Sequence, residues 1–151
     1  MSEQDHLDEL PEEIEQPEVE EEITPEKEQA LVDELFAQNG LSSAMIATFK
    51  KQYGEIGWVS FNMNSSPVPV VFVFRAIRRD EWRNEVKPFM MREDVTQDDA
   101  DEYVASYGTI YPIEARDVRY WGDKGGLIPT TLSGYIMEVS GAQPVTTPLK
   151  L

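Results

Sequence analysis

The side chains that most often do chemistry are scarce in this chain. Its only histidine is His6, which sits in an acidic N-terminal stretch, so the body lacks the commonest general base and metal ligand. Cysteine is absent, which removes thiolate nucleophiles, disulfides and sulfur-ligated metals. The glycine-rich "GDKGG" (122–126) has neither the preceding strand nor the following Ser or Thr of a phosphate loop. "GLSSA" (40–44) departs from the Gly-x-Ser-x-Gly turn that exposes a nucleophilic serine. Carboxylates gather in "REDVTQDDADE" (92–102), with Asp94, Asp98, Asp99, Asp101 and Glu102, but the glycine and the closing glutamate of a calcium loop are missing. They read as the solvated start of a helix. The sequence therefore predicts no catalytic residue, no cofactor and no metal, hence no enzyme.

Chemistry of recognition is better represented. Arg75, Arg78, Arg79 and Arg83 surround Trp82, a grouping that can grip phosphates by charge and stacking. Glu81 and Glu85 are interleaved at helical spacing, however, so ion pairs along a helix surface compete with that reading, with Arg75 finishing a strand. Contact with an acidic partner protein, or with the chain's own acidic tail, remains open. The net charge is −16, and residues 1–23 hold 11 acids and no bases, leaving 18 acids against 13 bases from residue 24 onward. A field this negative repels phosphate backbones and anionic headgroups, so neither nucleic acid nor a membrane is the expected partner. No apolar run approaches the roughly 18 residues of a spanning helix, and the acidic start is unlike a signal peptide, so a cytosolic location is expected. Of the three tryptophans, all expected at the core or its edge, Trp121 in "RYWGDKGG" is the best placed to act as an exposed anchor beside Arg119 and Tyr120. Met45, Met90 and Met91 can supply adaptable apolar surface. The predicted partner-binding residues are Arg78, Arg79, Trp82, Met90, Met91 and Trp121.

The elements that must position these residues follow from period and punctuation. Residues 1–24 read as a disordered acidic tail, because repulsion is uncompensated and little apolar surface offsets the entropy of ordering. Residues 25–142 form one α+β domain and 143–151 a loose tail. Thr24 caps a helix with Pro25 first, and Leu31, Val32, Leu35 and Phe36 recur at helical spacing until Asn39-Gly40. A second helix starts near Ser42, buries Met45, Ile46, Phe49 and Tyr53, and stops at Gly54. "GWVSFNMN" alternates as a half-buried strand, whereas "VPVVFVF" is apolar on both faces, as a central or doubly covered strand requires. Trp82, Val86, Phe89 and Met90 then define a buried helical stripe, in which Pro88 is expected to kink or end the helix early. Thr96 caps a carboxylate-rich helix closed by Gly108. "TIYPIEARDVRYWGDKGGL" looks irregular, and a last helix runs from Pro129 to Gly141 with Leu132, Ile136 and Val139 inside. The expected architecture is a small β-hairpin covered by four or five short helices.

The strand ending Phe74-Arg75, the short basic stretch to Glu81-Trp82, the Gly126-Leu127-Ile128-Pro129 opening of the last helix and its Ser140-Gly141 close together resemble small tail or baseplate-hub assembly chaperones of tailed bacteriophages. The likeness covers about residues 68–142. The chain departs from that family in its long acidic N-terminus and in an extra residue between Gly126 and Pro129. The resemblance implies a non-enzymatic helper that holds a tape-measure or hub protein soluble in the host cytoplasm and delivers it to the growing tail. The alternative it leaves open is a structural component or adaptor that stays in the virion tail or baseplate. It carries over no catalytic residue.

Overall fold

A computed structural model describes residues 22–124 and 126–141, which fall into two units, one ending at Val32 and the other beginning at Asp33. The expectations for residues 1–21 and for the C-terminal tail lie outside the described residues. In the first unit the start of helix α1 (Pro25–Gln38) is built as its sequence requires. The Lys27 N–H donates to Thr24 Oγ1 at 3.2 Å and the Glu28 N–H to the Thr24 carbonyl at 2.9 Å, so the capping threonine satisfies donors that the first turn leaves open.

The second unit is an α+β fold organised around one strand. β1 (Ile56–Phe61) and β2 (Val70–Arg75) form the expected antiparallel pair, with Ile56 opposite Arg75 and Phe61 opposite Val70. A third strand that the sequence reading passed over, β3 (Thr109–Tyr111), pairs antiparallel with the other side of β2, so the order is β1-β2-β3 and β2 is central. This explains its unbroken apolar run. Val71 and Val73 face a cluster with Leu41, Ile110 and the inner sides of Phe36, Met45, Ile46 and Phe49; Phe72 and Phe74 face the opposite cluster with Val104, Trp121, Leu132 and Ile136. Successive side chains on a strand point to opposite faces, so a strand covered on both sides has to be apolar at every position.

Helix α2 (Ser43–Tyr53) is capped by Ser42, whose hydroxyl accepts from the Met45 N–H at 3.1 Å, and it ends at Gly54 with φ +79°, a left-handed conformation that glycine adopts without strain. Between α1 and α2, Asn39 does more than stop a helix. Its Oδ1 accepts from the N–H of the fully buried Val71 at 2.9 Å, its Nδ2 donates to the Leu35 and Pro69 carbonyls, and its own carbonyl accepts from the Tyr111 hydroxyl. The turn is thus fastened to β2 and β3 by one side chain and one backbone group.

After β2 the chain becomes helical through α3 (Arg79–Glu81), a π-helical turn (Trp82–Val86) and α4 (Lys87–Met90), with no break at Pro88. Where a kink or an early end was expected there is a widened turn: the Lys87 N–H reaches back five residues to the Trp82 carbonyl. An interior proline lacks its own N–H and crowds the carbonyl four residues earlier, here that of Asn84, and a π turn immediately before it opens the room needed. Helix α5 (Gln97–Gly108) starts with a capping box in which Thr96 and Asp99 satisfy each other's backbone N–H groups. Two 3-10 turns, Ile113–Arg116 and Val118–Asp123, lead to α6 (Ile128–Ser140), whose Pro129, Leu132, Ser133 and Ile136 are buried. α5 and α6 pack closely because Gly108 has no Cβ; one placed there would lie 2.6 Å from Ile136 Cγ2.

Candidate functional site

Two places in the second unit bring polar or exposed aromatic groups together. The first is a shallow apolar cleft of about 240 Å³ lined by Ile77, Arg79, Trp82, Met137, Ser140 and Gly141. Its floor is set by backbone. The Ile77 N–H, just past the end of β2, donates to Ser140 Oγ at 2.7 Å, and that hydroxyl donates in turn to the Ile136 carbonyl one helical turn earlier. The last turn of α6 is therefore tied to the start of the helical run 79–90, where Arg79 and Trp82, three residues apart, stand on the same side. Trp82 is half-buried and packs on the core, Arg79 is exposed, and Met137 is exposed across from them.

Of the residues expected to bind a partner, the structure brings two, Arg79 and Trp82, into this cleft. Arg78 is exposed beside it at the helix N-cap, within ion-pair distance of Asp80 (3.6 Å) and Glu81 (3.3 Å). Met90 is half-buried against the core and Met91, at 73% exposure, stands open to solvent; neither lines the cleft. Trp121 lies in the core, where all three tryptophans were expected, and is therefore not the exposed anchor: it is 3% exposed, tilts against Phe72 with centroids 5.7 Å apart, and donates from Nε1 to Ser106 Oγ at 2.8 Å. The glycine-rich segment does not hold it out because Val118–Asp123 winds into a 3-10 turn that aims the indole inward. Trp58 is the tryptophan left open, at 41% exposure, edge-on to Phe36. Sequence reasoning missed Met137 as a cleft residue, since the helical periodicity around it marks only Leu132, Ile136 and Val139.

The second place is a polar cluster where β2 ends. Arg75 is only 16% exposed and forms a two-pronged bridge to Glu81, Nη1 to Oε1 at 2.8 Å and Nη2 to Oε2 at 3.0 Å. Its guanidinium carbon lies 5.5 Å from the Tyr53 ring centroid and 5.2 Å from that of Tyr107, so the fork is stacked as well as paired. The Tyr107 hydroxyl shares its single proton between Glu81 Oε2, at 2.9 Å, and Glu85. The Arg75 hydrogen bonds, opposed by desolvation and helped by the Arg78 N–H and Tyr107, hold the Glu81 carboxyl down at about 2. Burial first, and then these carboxylate partners, push the Tyr107 phenol well above its ordinary value. This arginine was expected only to finish a strand; the six-residue step from Arg75 to Glu81 is no helical spacing, so nothing in the periodicity signals the pair.

Next to the bridge, Tyr53, Arg75, Ser106, Tyr107, Thr109, Ile110 and Arg116 enclose a pocket of about 190 Å³. Thr109 is 2% exposed and its Oγ1 has no hydrogen-bond partner among the described residues. The acidic start of α5 assembles no metal site: no three His, Asp or Glu among the described residues converge as ligands. Comparison with protein-family models, curated proteins and solved structures finds no match.

Proposed function

We propose that this chain is a non-enzymatic assembly chaperone of a tailed bacteriophage, which holds a tape-measure or baseplate-hub protein in the host cytoplasm until the protein enters the growing tail. The family resemblance over residues 68–142 supplies the partner. The observation that carries the reading is the cleft between the helical run 79–90 and α6. An indole face, a methionine thioether and an exposed guanidinium around an apolar depression are the side chains that recur where proteins hold one another. A helical partner seats one or two apolar side chains in such a groove, while Arg79 meets an acidic group at its rim. The net charge of −16 then keeps loaded complexes apart.

The test is co-expression with a tape-measure or hub protein of a tailed bacteriophage. The chain raises that protein's soluble yield, Met137→Glu and Arg79→Glu abolish the gain, and purified particles lack the chain. Met137 and Arg79 are exposed, so both variants keep the fold, checked by circular dichroism. A full gain in yield with both variants would remove the cleft from the mechanism. Recovery of the chain from particles at a fixed copy number would make it a structural component or adaptor.

A further inference from the structure

We infer that the pocket between α2, β2, α5 and β3 is a binding site for a carboxylate group. Its walls offer donors in excess of acceptors. Arg116 Nη2 donates to the Ile110 carbonyl at 3.3 Å and to the Tyr53 hydroxyl at 3.4 Å, both long, and no ion pair joins Arg116 to a carboxylate of a described residue. Its remaining N–H groups make no further hydrogen bond among the described residues. Ser106 Oγ accepts from Trp121, which leaves its O–H to donate. Thr109 Oγ1 is buried and unpartnered, a state that costs free energy unless something occupies the pocket beside it.

The acidic groups nearby do not supply that occupant. Glu81 is engaged by Arg75 and Tyr107, Glu85 by Tyr107, and neither lines the pocket. With Arg75 neutralised by Glu81, Arg116 is the one charged residue lining the pocket that pairs with no carboxylate of a described residue, and it is positive. A carboxylate presents two acceptor oxygens to a guanidinium fork and to hydroxyl donors, the geometry in which these bonds are strongest. The backbone places Thr109 for this. The register slips between Val73 and Phe74, with Val73 opposite Tyr111 and Phe74 opposite Thr109, and such bulges re-aim side chains beside sites.

The experiment titrates the full chain with sodium acetate against sodium chloride at matched ionic strength, reading amide and arginine Nε–Hε resonances and the thermal midpoint. Acetate produces saturable shifts at Tyr107, Thr109, Ile110 and Arg116, and raises the midpoint. Loss of one charge-assisted bond weakens binding by about tenfold or more in Arg116→Leu. Thr109→Val keeps the shape, folds at least as stably without acetate, and loses the acetate-dependent increment. Capped tripeptides Gly-Glu-Gly and Gly-Gln-Gly separate the sources. Binding of the Glu peptide assigns the site to a side-chain carboxylate, and acetate binding without it assigns the site to a free small carboxylate. Either supports the proposal. Equal effects of acetate and chloride, unchanged acetate binding in both variants, or equal binding of the Gln peptide overturns it, leaving a pocket that holds only water.

Discussion

Glu81 carries more of the fold than its place in a charged block implies. Its carboxyl is 14% exposed, bridged to Arg75, and held at about 2 against an ordinary 4.5. A group whose folded pKa lies below its unfolded one contributes stability that is complete above the unfolded value and lost as pH falls toward the folded value. The window here runs from about 4.5 down to about 2, and the shift corresponds to at most roughly 3 kcal/mol. Acid unfolding followed by tryptophan fluorescence should therefore show wild type losing stability across that window. Glu81→Gln, already less stable at neutral pH, should show a flatter profile. Asp94 and Asp117 are also lowered by their arginine neighbours, but both are exposed and remain in the variant, so the difference between profiles isolates Glu81. A profile of unchanged slope in the variant would mean that the bridge forms equally well in the unfolded chain. The residue scale is also where the sequence was hardest to read. Arg75 with Glu81, Trp121 with Ser106 and Asn39 with Val71 are pairings that only tertiary closure creates, and none has a helical or strand period.

At the scale of elements, much was legible because apolar period and capping chemistry act locally. The caps at Thr24, Ser42 and Thr96, the stops at Gly40, Gly54 and Gly141, and the doubly apolar β2 all stand where residue type alone puts them. β3 was not legible. Three residues are too few to show alternation, and they follow Gly108 directly, so the strand exists only because β2 offers a free edge beside the end of α5. Gly108 itself read as a helix stop, whereas its larger role is contact. A Cβ there meets Ile136, a residue with no solvent exposure on a helix that cannot shift without disturbing Leu132 and Trp121. Gly108→Ala should cost about 1–3 kcal/mol by overpacking, although alanine is the better helix former. Urea unfolding checks this. Gly134→Ala, on the next helix with open space around it, should be neutral or stabilising and serves as the control.

For the molecule as a whole, the division of charge and the placement of the cleft make separable demands. Arg79 and Trp82 could be grouped from their spacing, but Met137 lies 55 residues away and joins them only because Ser140 fastens α6 to the backbone after β2. The sequence thus supplied two of the six cleft residues, and the fold supplied the rest. Charge, by contrast, needs no fold to act: residues 1–23 carry −11 of the −16, so their removal leaves −5. If the tail serves solubility, its deletion should lower the second virial coefficient measured by light scattering at low salt. The two forms should converge near 1 M salt, where the Debye length falls to about 3 Å. Partner capture should survive the deletion, since the cleft residues all lie beyond residue 76. A truncated chain that stays folded and monomeric yet no longer holds its partner would move the binding determinant from the cleft to the acidic segment. Recognition would then rest on long-range charge, and the Met137→Glu variant would bind as well as wild type.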